Sequence, residues 1–289
     1  MSLRYAVVTP ARNEAGNLPR LRDCLAAQTA PPLRWVLVDT GSTDETPAVV
    51  RSFTREAAWI ASAEVDVGRL ERGKPVVEAF EAGLEAVSAE ADVVVKLDAD
   101  VSFPNDYFER LLAAFEQDET LGIASGSAFE LEDGEWRQRF SSGDAVWGAA
   151  RAYRRACLEA ILPLERQMGW DGIDEIRAQM RGWRTATLLE LPFRHHRREG
   201  ERDGAQWRAW AARGRAAHYM GYRAWYLGLR ALHHARRHPA ALAMLWGYSG
   251  SVVRRRAVCP DPKVREHLRR SQRLRNLGMR RRQALGASR

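Results

Sequence analysis

DVVVKLDAD, residues 92–100, reads as a strand that leaves a buried sheet at a charged edge. Three valines and a leucine in near-continuous succession suit a strand covered on both faces, as in a parallel sheet. Asp98 and Asp100 stand at i and i+2, a spacing that turns both carboxylates the same way on extended backbone. Two hard oxygen donors on one side of a strand end suit a divalent cation such as Mg2+ or Mn2+. A cation there would offset the charge of a diphosphate and stabilise it as a leaving group. A solvated acidic loop is the competing reading.

The neighbouring sequence repeats the pattern. Tyr5–Thr9, Arg34–Asp39 and Trp59–Asp66 read as further strands. Asn17–Gln28, Thr46–Ala57, Lys74–Val87 and Asn105–Glu116 place apolar residues at helical spacing. Strands alternating with amphipathic helices form an α/β sheet covered on both sides. Such sheets bind ligands outside the carboxyl ends of their strands. The polar clusters Thr9–Glu14, Asp39–Asp44, Asp66–Lys74 and Asp98–Asp100 fall at those ends. Farther on, Leu121–Leu131 and Thr185–Phe193 read as strands. Gly148–Ile161 reads as a strand-to-helix transition, and Asp174–Met180 as a short helix ending at Gly182.

Of 289 residues, 45% are hydrophobic and 28% charged, which excludes disorder, collagen and coiled coil for the whole chain. The net charge of +8 hides a division. Residues 1–189 hold 21 Lys/Arg against 31 Asp/Glu, and residues 190–289 hold 24 against 6. Nucleic acid is disfavoured as a partner, because no recognition motif accompanies the basic third and the site-bearing part is acidic. Cys24, Cys157 and Cys259 are far apart, without metal-ligand spacing, and suit a reducing cytoplasm. The N-terminus runs directly into a strand, with no apolar signal core. No stretch reaches the roughly 18 uncharged apolar residues of a membrane span.

Within the clusters, Gly41, Ser42 and Asp44 make a capped turn, whereas Asp39 stands at a strand end where a nucleoside could be bonded. Pro10 and the polar run after it are expected to stop the first strand. Arg69, Arg72 and Lys74 follow the third strand. Their cations suit phosphate oxygens, with Lys74 near a helix N-terminus. An exposed charged loop explains them equally.

Four blocks, VVTPARNE (7–14), WVLVDTGSTDET (35–46), ERGKPVVEAFEAGL (71–84) and VVVKLDAD (93–100), resemble the family-2 glycosyltransferases in order and rough spacing. GAARAYRRACLEAI (148–161) and GWDGIDEIRAQMRGW (169–183) extend the resemblance over about residues 3–197. It implies the GT-A fold, Rossmann-like with a mixed, mainly parallel sheet flanked by helices. It also implies inverting transfer of a sugar from a nucleotide-sugar donor to a hydroxyl acceptor, with Mn2+ or Mg2+ at the D-x-D.

On this resemblance Pro10, Arg12, Glu14 and Asp39 line the nucleotide pocket and Lys74 lies near the base or phosphates. Asp98 lies near ribose and metal, and Asp100 on the metal. His195 or His196 is a further metal ligand, and Arg197 or Arg198 holds the diphosphate. The family's catalytic base is the Asp of a Glu-Asp pair ahead of a helix ending in Gly-Tyr or Gly-Trp. Here the pair is reversed, Asp174-Glu175, and the helix ends at Gly182-Trp183. Asp174 is the first candidate, Glu175 the second and Asp171 the third. A carboxylate beside a hydroxyl serves as general base. Acids merely decorating a helix N-terminus are the competing reading.

The chain divides into a catalytic domain, residues 1–198, and a basic, aromatic-rich helical extension, residues 199–289. Tyr219 to Arg230 is expected to form one amphipathic helix, with Trp and Tyr at a polar boundary and Arg flanks, which suits a bilayer interface. The protein is expected on the inner face of the cell membrane, with a lipid-linked or polysaccharide-precursor acceptor. Packing of these helices on the catalytic domain, or in a homo-oligomer, is the alternative. Two other functions remain. A sugar-nucleotide pyrophosphorylase is disfavoured because Ala11–Gly16 replaces a Gly-rich basic phosphate loop. A non-catalytic membrane or partner adaptor is disfavoured by the retained Asp98 and Asp100.

Overall fold

The computed structural model describes residues 2–66, 73–132, 134–139, 145–197, 206–236 and 238–274. Its strands are β1 (Tyr5–Ala11), β2 (Arg34–Asp39), β3 (Ile60–Glu64), β4 (Val93–Leu97), β5 (Val101–Ser102), β6 (Leu121–Glu132), β7 (Glu135–Gln138), β8 (Ala150–Arg154) and β9 (Arg184–His195). They form one mixed sheet in the order β3-β2-β1-β4-β8-β6-β9-β5, with β7 hairpinned onto β6. The first four strands are parallel, β8 runs antiparallel to β4, and β9 runs parallel to β6.

The period-2 alternation of the strands splits the core into two layers. Tyr5, Val7, Trp35, Leu37, Val93 and Val95 face one side. There they meet α1 (Leu18–Ala26), α2 (Thr46–Glu56) and α4 (Tyr107–Gln117). Val8, Val36, Val38 and Val94 face the other, against α3 (Lys74–Leu84), α5 (Arg155–Ile161) and α6 (Trp170–Met180). Each central strand is therefore buried on both faces, which is why it reads as continuous Val and Leu.

The first strand does not stop at Pro10. It pairs with β2 as far as Ala11 opposite Asp39. Pairing with β4 has already ended at Val8, so the N–H that proline lacks has no ladder to complete on that side. The sixth helix starts four residues before the expected Asp174. Gly169 takes the left-handed conformation (φ 95°) that opens it, so Asp171 is the acid of the first turn and Asp174 lies mid-helix.

The extension comprises α7 (Gln206–Met220), α8 (Ala224–Ala235), a 3-10 turn at Pro239–Leu242, α9 (Ala243–Val253) and α10 (Pro262–Ser271). The expected helix from Tyr219 to Arg230 is broken at Gly221 (φ 83°), where α7 gives way to α8. Met220, Cys259, Val264 and Leu268 pack on Ile173 and Ile176, on the back of α6. The Tyr219 hydroxyl donates to Glu165. Among the described residues no helix is long and apolar enough to cross a membrane.

Candidate active site

The carboxyl ends of β1, β2 and β4 meet at one polar edge. Asp39 ends β2, and its Oδ1 accepts from the backbone N–H of Ser42 (3.0 Å) and the Ser42 hydroxyl (2.6 Å). Arg12 donates to the Thr40 carbonyl (3.1 Å), which ties the loop after β1 to the end of β2. Lys74, half exposed at the start of α3, lies 3.7 Å from Glu78. Arg69, Arg72 and Arg198 lie outside the described residues.

Asp98, Asp100 and His195 each offer an atom within 4.8 Å of the others. Asp98 and Asp100 follow β4, and β5 then pairs Val101 with His195 at the end of β9. Consecutive residues of an extended chain face opposite ways, so only one of the two histidines joins the carboxylates. His195 does. His196 turns away, bonds through Nε2 to the Ser102 hydroxyl (2.7 Å), and packs edge-on against Trp136. That corrects the expectation that either histidine could serve. Two carboxylates and one imidazole are a donor set that fits Mn2+ or Mg2+.

Several partners of this trio were not legible as site residues. Lys96 is buried within β4 and donates both to Asp98 and to the Gly148 carbonyl (2.8 Å). Its signal was available: a lone cation in a buried apolar strand must be paired. Glu130 of β6 lies 3.2 Å from Nδ1 of His195. Burial disfavours charge on the imidazole, yet the Asp100 and Glu130 carboxylates outweigh it and raise His195 to about 10. Burial likewise opposes ionisation of Asp100, and His195 and Arg197 together hold its carboxyl below the usual range. Arg197 forms a two-pronged pair with buried Glu14 (3.0 and 3.1 Å) and lies 3.5 Å from Asp100. The expected pocket residue Glu14 thus anchors the arginine beside Asp100.

The three candidate bases lie on α6. Its first-choice candidate, Asp174, is 1% exposed and has no free side. Arg151, itself fully buried, donates to Asp174 Oδ1 (2.6 Å), and the Tyr153 hydroxyl donates to Oδ2 (2.5 Å). The same guanidinium reaches Glu175 (3.0 Å) and the carbonyls of Asp171 (2.7 Å) and Val146 (2.6 Å). Asp174 and Glu175 therefore belong to a buried ion cluster that joins α6 to the 145–148 loop. Asp171 differs: its Oδ1 accepts from the N–H of Gly172 (3.0 Å). Among the described residues, apart from Gly148's own chain neighbours, its Oδ2 is the one atom within 4 Å, at 3.8 Å, of where a Cβ at Gly148 would sit. Gly148 in turn hands its carbonyl to Lys96. The Asp171 carboxylate thus lies beside Gly148, whose carbonyl bonds the same lysine that pairs with Asp98. Beside Gly148 in the same loop, Trp147 has a buried indole N–H with no hydrogen-bond partner.

Burial pushes Asp174 up to about 6 and Glu175 up to about 8, in each case against the opposing pull of Arg151. Both bind a proton more tightly folded than unfolded. The stability this gives is present below the ordinary carboxylate range and lost as the pH rises toward about 8. Glu175→Gln removes the Glu175 part. Thermal denaturation across that window should show the Tm difference moving in favour of the variant as pH rises. A pH-independent difference would contradict a protonated Glu175.

The sequence matches the family described as Glycosyl transferase family 2 over residues 6–164. The chain belongs to that family. The enzyme is a glycosyltransferase, and solved structures share its GT-A fold. It is similar to the mannosyltransferase PcManGT from Pyrobaculum calidifontis in complex with GDP-Man and Mn2+, at 18% identity and TM-score 0.59, covering 98% of this chain and 85% of that one. S. aureus TarS 1-349 in complex with UDP-GlcNAc aligns at 16% identity and TM-score 0.57, covering 98% and 82%. GalNAc-T7 with UDP, GalNAc and Mn2+ aligns at 14% identity and TM-score 0.60, covering 93% and 57%. Comparison with curated proteins returned no match.

Proposed function

We propose that this glycosyltransferase moves a sugar, with inversion, from a nucleoside-diphosphate sugar to the hydroxyl of a lipid-linked or saccharide-precursor acceptor. In this reading residues 1–198 carry the chemistry. Residues 199–289 hold the enzyme at the inner face of the cell membrane, with a homo-oligomer as the other use of that extension. The observation that supports the catalytic part is the Asp98, Asp100 and His195 group, with Asp171 beside the Gly148 whose carbonyl bonds Lys96, the partner of Asp98.

Pro10, Arg12 and Asp39 stand where a nucleoside would lie in a sheet of this kind, at the carboxyl ends of β1 and β2. Asp98, Asp100 and His195 would hold Mn2+ or Mg2+, which when bound supplies charge stabilisation to the leaving diphosphate. Arg197 keeps Asp100 ionised and adds a second cation at the same place. Asp171 accepts the proton of the acceptor hydroxyl as its oxygen bonds to the anomeric carbon. The bond from that carbon to the diphosphate oxygen breaks on the opposite side. Asp171 replaces Asp174 as the first choice of base because Asp174 is spent on Arg151 and Tyr153.

The test is thermal shift with UDP or GDP and Mn2+. A ligand at a hundred times its Kd stabilises by about 2.7 kcal/mol. At this chain length that is roughly 4 to 5 °C in Tm. Asp100→Ala should abolish the metal-dependent part of the rise while the ligand-free Tm stays near the parent value. A rise that survives the substitution would overturn the metal assignment.

A further inference from the structure

Residues 204–260 contain ten Arg and four His and not one Asp or Glu. This acid-free stretch folds into α7, α8 and α9, whose inner faces are fully used. Ala211 and Gly214 of α7 lie against the backbone of Met244 and Gly247 of α9, where even a methyl group at either glycine would overlap a carbonyl. Leu227 and Ala231 of α8 are buried with Ala217 and Met244. The tyrosines also turn inward: Tyr248 donates to the Tyr222 carbonyl (2.9 Å), and Tyr219 to Glu165.

The outer faces are apolar. On α8, Trp225, Leu229 and Leu232 stand exposed at i, i+4 and i+7, one stripe of the helix. Leu242 in the preceding turn and Leu245, Trp246, Val252 and Val253 of α9 are exposed as well, Trp246 by 61% and Val253 by 81%. Trp207 of α7 meets Trp246 edge-on at 5.7 Å, so the patch extends onto a third helix. Arg254, Arg255 and Arg256 follow α9 directly, and the Arg208 guanidinium sits over the Trp207 ring. Exposed leucines and tryptophans bordered by arginines, in a stretch of sequence without Asp or Glu, fit neither nucleic acid nor open water. They match the acyl edge and anionic headgroups of a bilayer.

We propose that the outer stripes of α8 and α9, with Trp207, insert shallowly into an anionic membrane. The arginines add headgroup attraction but do not carry the binding alone. The inference rests on the peripheral-membrane part of the proposed function and goes beyond it by naming the inserting residues. The same bundle packs behind α6 through Met220, whose side chain abuts Gly169 and Gly172. Insertion would therefore hold the Asp171 helix at a fixed height above the lipid.

The experiment is flotation of the full chain with phosphatidylcholine vesicles carrying about one-third phosphatidylglycerol, at low salt and at about 0.5 M salt, where long-range attraction is screened. Binding is expected at both. The triple variant Leu245→Gln/Trp246→Gln/Val253→Gln should lower partitioning by about tenfold or more at both salts. Arg254→Gln/Arg255→Gln/Arg256→Gln should lower it mainly at low salt, by about fivefold per residue. Binding of the parent that vanishes at high salt, or that ignores the apolar variant, overturns insertion. So does a stable dimer in solution that the apolar variant dissociates while vesicles bind neither form. Both variants must keep the parent's Tm rise with Mn2+ and nucleoside diphosphate, which shows that they fold. Absence of that rise in the parent itself would count against the donor reading and leave the vesicle result standing.

Discussion

Asp171→Asn is expected to lower kcat by about 10²- to 10⁴-fold, the range of a lost general base. The KM for the donor should hardly change, because the substitution preserves shape and leaves Asp39, Asp98 and Asp100 untouched. The amide still accepts through its oxygen, so the bond from the Gly172 N–H can remain. The loss is one of proton acceptance, and steady-state transfer assays with the donor varied at saturating acceptor separate it from a binding defect. The same assay on Asp174→Asn distinguishes the candidates. A comparable kcat loss there with unchanged Tm, and none at Asp171, would return the base to Asp174 and refute the reading from burial.

Arg151→Met should be the most destabilising single change. It leaves Asp174 buried without its cation, and it also strips the carbonyls of Asp171 and Val146 of a donor. Breaking a buried pair from one side costs about 3–5 kcal/mol. At this chain length that is roughly 5 to 8 °C in Tm. A second change isolates the cause. Adding Asp174→Leu and Glu175→Leu removes the orphaned carboxylates, and much of the Tm should return. Transfer activity should not return with it, since Arg151 also fixes the first turn of α6 and the loop that faces it. Full recovery of activity with Tm would show that Arg151 has no positioning role.

How much could be read in advance differs residue by residue. Val93 to Leu97 announced a strand buried on both faces, because a parallel strand has no solvent side to tolerate polarity. Asp98 and Asp100 announced a pair of carboxylates at one edge, because i and i+2 share a direction wherever the backbone is extended, and the two do lie together with His195. The start of α6 was harder. Asp174-Glu175 looks like a helix N-terminus, and Gly172 looks like a break. The helix nevertheless passes through Gly172 and begins at Gly169, with Met220 packed against both. That contact comes from α7, some fifty residues downstream, and no local pattern encodes it.

The C-terminal third shows the same division. Its charge and aromatic content are matters of composition, and they pointed to an anionic surface. Which aromatics are free to meet that surface was not legible. Tyr219, Tyr222 and Tyr248 are taken up by packing and hydrogen bonds, while Trp246 and Val253 stay outside.

The succession of strands and helices along the chain, the strand ends that carry the polar clusters and the shared direction of Asp98 and Asp100 follow from local periodicity, which the chain carries in every short window. The partner of each carboxylate does not. Asp171, Asp174 and Glu175 are near neighbours on one helix. They differ because Arg151, on a strand twenty residues earlier, reaches two of the side chains and leaves the third beside Gly148. Burial and pairing are properties of distances between elements, so chemistry that depends on them is settled only when the elements have packed.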